Sequence, residues 1–187
     1  MSANTVLIVT NDVADAKLLK ETLAAARDGA FITEWVRHLS EVVNRLDRRG
    51  VDIILVDLCL SDSQGPGTFD VLFELVPAIP IMTLCDEENE YLAIEAVQRG
   101  AQGFLSKGHF PNSLVPQAIR NIIQRKKVEE ALFVERERSR VTLESIGDGV
   151  LSTDVAGNVT YMNAEAERVT GWARDEAQGR RIARSSI

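Results

Sequence analysis

Apolar residues gather in five short runs separated by longer amphipathic stretches. Residues 5–9 (TVLIV), 53–56 (IILV) and 81–84 (IMTL) are apolar at nearly every position, the pattern of strands covered on both faces in a parallel sheet. Residues 31–36 (FITEWV) suit a half-buried strand, and 102–105 (QGFL) predict a short fifth one. After the first run, Leu18, Leu19, Leu23 and Ala26 recur at helical spacing, with Asp28-Gly29 as the stop. Ser40 is placed to cap a helix running to about residue 49, closed by Gly50. Further helices are expected at 68–75, ending before Pro77, and at 90–99, stopped by Gly100. Another begins near Pro111-Asn112-Ser113, where Pro116 is tolerable in the first turn. Five strand–helix alternations predict an α/β domain with a parallel sheet, and right-handed crossovers place helices on both faces.

The pattern changes after residue 124. Gln124-Arg125-Lys126-Lys127-Val128-Glu129-Glu130 and Glu135-Arg136-Glu137-Arg138 are densely charged, while Ile122, Ile123, Val128, Leu132, Val141 and Ile146 survive at roughly helical intervals. One long helix continuing out of the first domain is expected, with Glu–Lys and Glu–Arg pairs along it. It reads either as a solvated linker helix or as a dimeric coiled coil with a thin apolar seam. Past Gly147-Asp148-Gly149, the runs 150–153 and 159–162 flank Ala156-Gly157-Asn158 as two strands flank a turn. Asn163 is placed to cap a helix over 164–170, stopped by Gly171. Two strands and one short helix do not make an independent core. The expected division is a domain at 1–124, a helical linker at 125–145 and an incomplete second domain at 146–187.

Composition narrows the function classes. A chain of 187 residues, 45% of them hydrophobic, holds one full domain and part of another. A formal net charge of −7 argues against nucleic acid as a partner, because phosphate binding needs a basic surface. Cys59 and Cys85 lie outside any CxxC pattern, so a disulfide framework or zinc site is not expected and a reducing cytoplasm is. No 18-residue apolar run and no secretion-type leader is present, so the chain is expected to be neither exported nor membrane-spanning. The two histidines, His38 and His109, are expected at the surface, and no phosphate-cradling Gly-rich loop occurs.

The candidate chemistry sits on the run 53–56. Asp57 follows it at once, and a carboxylate at the end of a buried strand is costly unless a partner or a function justifies it. In open α/β sheets ligands bind at the carboxyl ends of the strands. Asp57 is therefore either a reactive group or a cap for the following loop.

The ordered set TVLIV, ILVDLCLSDSQG, PIMTLC and AVQRGAQGFLSKG resembles the receiver domain of bacterial two-component response regulators over residues 4–125. That resemblance implies a flavodoxin-like (βα)5 fold with strand order 2-1-3-4-5. It also implies transfer of a phosphoryl group from a histidine kinase or phosphotransfer protein to Asp57, a carboxylate nucleophile forming an acyl phosphate. Lys107 matches the family's lysine, Phe104 the aromatic whose rotamer reports phosphorylation, and Cys85 the position of the switch Thr or Ser. Mg²⁺ is the implied cofactor, held by Asp57, by the Cys59 backbone carbonyl and by an acidic pair after the first strand. That pair falls on Thr10 and Asn11 here, with Asp12 one residue late, so weakened metal binding is expected. Cys85 is a poor donor beside a hydroxyl, and Asp86 brings negative charge to a position usually small. Thr83, two residues earlier, shares the strand face of Cys85 but lies deeper.

Residues from about 141 (VTLESIGDGVLSTDVAGNVTYMNAEAERVTGW) resemble the opening of a PAS sensor domain, an α+β segment, and the helix before them resembles a signalling helix. Such segments commonly precede cyclic di-GMP cyclase and phosphodiesterase domains or histidine kinases. Two readings of the whole follow from the resemblance. In one, a receiver phosphorylated on Asp57 signals down the helix, as a homodimer, to the PAS domain and an effector beyond residue 187. In the other, a degenerate receiver serves as a protein-interaction or dimerisation module.

Overall fold

The computed structural model describes residues 3–26, 30–46, 50–108 and 114–181. Two compact units divide the chain, residues 1–128 and 129–187. In the first, five parallel strands pair in the order β2-β1-β3-β4-β5: β1 (Asn4–Val9), β2 (Phe31–Val36), β3 (Ile53–Asp57), β4 (Ile81–Cys85) and β5 (Phe104–Ser106). This is the flavodoxin-like order, with the chain reversing direction across the sheet between β1 and β3.

Side chains alternate across each strand, and two separate cores result. Val6, Ile8, Ile53, Leu55, Met82 and Leu84 pack with Leu19 and Leu23 of α1 (Val13–Ala24) and with Val115, Ile119 and Ile123 of α5 (Leu114–Ser145). Leu7, Val9, Ile54, Val56, Ile81 and Cys85 pack on the other face. Their helical partners are Val42 of α2 (Leu39–Leu46), Phe69 and Leu72 of α3 (Pro66–Leu75), and Ala93 and Ala96 of α4 (Glu90–Gln98). The near-continuous apolar runs of β1, β3 and β4 are thus explained by helices on both sides.

Several local expectations change. Ser40 does not cap α2 but lies inside it. The Leu39 and Ser40 N–H groups donate instead to the Asp62 carboxylate at 3.1 and 3.2 Å. Burial pushes Asp62 up, but these backbone donors outweigh it and hold its carboxyl below the usual range. The α3 helix starts two residues before the expected one, because Pro66 stands at its first position and Gly65 takes φ 71°, a conformation that favours glycine. The expected stop at Asp28-Gly29, the end of α2 at 47–49, the cap at Pro111-Asn112-Ser113 and His109 lie outside the described residues.

The second unit contains the antiparallel pair β6 (Leu151–Thr153) and β7 (Val159–Met162), followed by α6 (Ala164–Thr170) and α7 (Arg174–Ala177). Helix α7 has no counterpart in the sequence reading; with Leu151, Ala177 joins Val159, Met162 and Ala166 in a small core. Gly149 permits a close approach, since a Cβ there would lie 3.2 Å from the Ala166 Cα. Asn163 is fully buried, and its amide uses its capacity in full. Oδ1 accepts from Val150 N at 2.8 Å and Ala166 N at 2.9 Å, and Nδ2 donates to the carbonyls of Leu143 at 3.0 Å and Asp148 at 2.9 Å. Asn163 thereby caps α6 and ties it to the last turn of α5.

Candidate functional site

Strand β3 ends on Asp57, which is 1% exposed. Three donors satisfy its carboxylate. The Lys107 ammonium lies 2.6 Å from Oδ2, the Thr10 hydroxyl donates to the same oxygen at 3.1 Å, and the Cys59 N–H donates to Oδ1 at 2.9 Å. Each comes from the carboxyl end of a different strand, β5, β1 and β3, so sheet topology alone gathers them. Lys107 is aimed by its own N–H, which continues the β4–β5 ladder to the Cys85 carbonyl at 2.8 Å. The Thr10 end is fixed by Trp35, whose indole N–H donates to the Thr10 carbonyl at 2.8 Å.

Two more carboxylates face Lys107. Asp15 Oδ2 of α1 lies 3.5 Å from the ammonium and Asp86 Oδ2 3.8 Å. Burial presses the lysine downward, but the Asp57 hydrogen bond and the charges of Asp57, Asp86 and Asp15 outweigh it, and Lys107 lies above its ordinary value. Asp15 also sits above the usual carboxylate value: burial raises it most, and Asp12 and Asp57 add to the push against the pull of Lys107. An acid raised on folding contributes stability at low pH that is lost as pH rises through its shifted value. The stability advantage of wild type over Asp15→Asn is therefore larger at about pH 4 than at about pH 7, as urea midpoints at the two pH values will test.

Asp12 is not brought to this cluster. Its Oδ1 accepts from the Ala14 and Asp15 N–H groups at 2.7 and 3.2 Å, making Asp12 the N-cap of α1. Asn11 is exposed. Asp12→Ala should lower stability by about 1 kcal/mol while leaving the rate of phosphoryl acceptance unchanged, which urea denaturation and intact-mass kinetics together will check.

Cys85 is buried, with its thiol 4.0 Å from the Leu105 carbonyl. Burial, with the charges of Glu90 and Asp86, pushes that thiol up to about 11, so it is protonated near neutrality. Phe104 is half-buried against the core beneath α3 and α4, and it pairs in register with Thr83. The Thr83 hydroxyl is buried without a hydrogen-bond partner.

The donor set does not fit a Mg²⁺ ion well. Both Asp57 oxygens already accept hydrogen bonds, Asp12 is committed to its helix, and residues 10 and 11 supply no carboxylate. Among the described residues no three His, Cys, Asp or Glu side chains are grouped to hold a metal.

An open parallel sheet with a buried carboxylate and a lysine at its carboxyl edge defines a receiver-type module. The response regulator receiver domain family matches residues 6–124, and the chain belongs to that family. A PAS fold matches residues 137–187. Members of the receiver family generally bind Mg²⁺ where they are phosphorylated. The chain is 48% identical over 54 residues, 29% of its own length and 5% of the relative's, to the probable diguanylate cyclase DgcE of Escherichia coli K12. It is 29% identical over 122 residues, 65% of its length and 51% of the relative's, to the swarming motility regulation protein RssB of Serratia marcescens. The chain spans at most about half the length of these curated relatives. Among solved structures, the receiver domain of an HD domain-containing protein from Pseudomonas fluorescens matches with TM-score 0.62 and 17% identity, covering 70% of this chain and 94% of that one. That likeness is one of fold. Among the described residues no helix is long and apolar enough to cross a membrane.

Proposed function

We propose that the chain is the phosphoacceptor module of a two-component phosphorelay, with Asp57 as the accepting carboxylate and a histidine kinase or phosphotransfer protein as the donor. The observation that carries this reading is the buried Asp57 carboxylate held 2.6 Å from Lys107 at the open edge of the sheet. An Asp57 oxygen attacks phosphorus, a P–O bond forms, and the donor's P–N bond breaks with its electron pair leaving on the imidazole, whose other nitrogen carries the proton. Lys107 and the Thr10 hydroxyl stand where charge gathers on the transferring oxygens.

The added charge, about −1.5 to −2, lands among Lys107, Cys85 and Asp86 and biases the β4–β5 edge that carries Phe104. The output runs down α5, across the boundary near residues 125–145, to the PAS segment at 146–187 and an effector outside this chain. The likeness to a diguanylate cyclase supports cyclic di-GMP turnover as that output. Val128 and Leu132, four residues apart and exposed on α5, suit a homodimer seam. A cytoplasmic setting and the absence of a nucleic-acid partner complete the reading. Borohydride trapping tests it: the acyl phosphate at Asp57 reduces to homoserine, which peptide mass spectrometry locates. Homoserine at another position, or at none, would refute the assignment.

A further inference from the structure

Transfer to Asp57 poses a difficulty for Lys107. The ammonium rests on Asp57 Oδ2, and once the acyl phosphate forms, that carboxylate no longer carries a full charge to hold it. A carboxylate just after β1 could take over, but positions 10 and 11 are Thr and Asn, and Asp12 caps α1. Asp15 stands one turn further along. Its side chain is 15% exposed and its Oδ2 is 3.5 Å from the Lys107 ammonium, itself 12% exposed. Asp86 is 53% exposed and 3.8 Å away, so solvent screens it.

We propose that Asp15 is the positioning residue that keeps Lys107 over Asp57 during phosphoryl transfer, in place of the acidic pair absent from positions 10 and 11. This rests on Asp57 being the phosphoacceptor. Asp15 touches no reacting atom; it acts through the lysine. As Asp57 turns an oxygen toward phosphorus, Lys107 slides from a shared hold on Asp57 and Asp15 to Asp15 and the phosphoryl oxygens.

The test uses the full chain and acetyl phosphate, with mass gain followed over time. An Asp57 oxygen bonds phosphorus, the P–O bond to the acetyl group breaks, and acetate leaves with the electron pair, so no proton or redox partner is needed. Asp15→Asn should react about tenfold more slowly, with no loss of thermal midpoint at neutral pH. Asp15→Glu should recover most of the rate. On a Lys107→Met background, Asp15→Asn should cost nothing further, because one residue acts through the other. Wild-type rate or faster in Asp15→Asn, additive losses in the double variant, or slowing that tracks a fall in melting temperature would each overturn the proposal. Failure of wild type to gain mass would instead defeat the phosphoacceptor reading on which it rests.

Discussion

Lys107→Met should be the most damaging single change in the first unit, lowering its stability by about 3 kcal/mol at neutral pH and slowing phosphoryl acceptance about a hundredfold. Asp57 is 1% exposed, and Lys107 is the cation that faces it. A methionine of similar length fills the space but leaves a buried carboxylate with, among the described residues, the Thr10 hydroxyl and the Cys59 N–H as donors. The pH dependence carries a sign. The raised value of Lys107 contributes stability that is present below the ordinary lysine range and is lost as pH rises through the shifted value. The gap between wild type and variant should therefore be constant from neutral pH to about pH 10 and narrow above it. Urea midpoints at several pH values measure this, and a gap that widens with alkalinity would contradict the pairing.

Asn163→Ala should do comparable harm to the second unit. Removing the amide leaves the buried Ala166 N–H, and the part-buried Val150 N–H and Leu143 and Asp148 carbonyls, without their partner. Losing a helix cap costs about 1 kcal/mol, and the three further groups, which water reaches in part, cost about 2 kcal/mol together, so about 3 kcal/mol is expected in all. A unit whose core, among the described residues, is four buried side chains and Leu151 has little to spare. Hydrogen exchange should show β6, β7 and α6 losing protection together while the strands of the first unit keep theirs. Exchange unchanged at Val150 and Ala166 would mean that the amide does not hold the junction.

Much of this was legible in the sequence, for a physical reason. Strands buried from both sides must be apolar at consecutive positions, so β1, β3 and β4 announced themselves, and Asp57 stood out as the charge that breaks such a run. Asn163 and Gly171 were equally readable, because a cap and a left-handed stop are local chemistry. What escaped depends on contacts between distant segments. Asp15 reads as an ordinary acid in the first turn of a helix until the phase of α1 against the sheet turns it toward Lys107. The Asp12 position drew attention by its nearness to the site, although Asp followed by Val13-Ala14-Asp15 is also an N-cap signal pointing its carboxylate back on its own helix. Ser40 was a reasonable cap by type, and Asp62 won from 22 residues away.

The central claim is that Asp57 accepts a phosphoryl group. The most direct measurement is the intact mass of the purified chain after incubation with acetyl phosphate, with and without Mg²⁺, for wild type beside Asp57→Asn. A gain of one phosphoryl group in wild type and none in the variant is the predicted result. No gain in wild type under conditions that label a reference receiver, or equal gain in both chains, would contradict it.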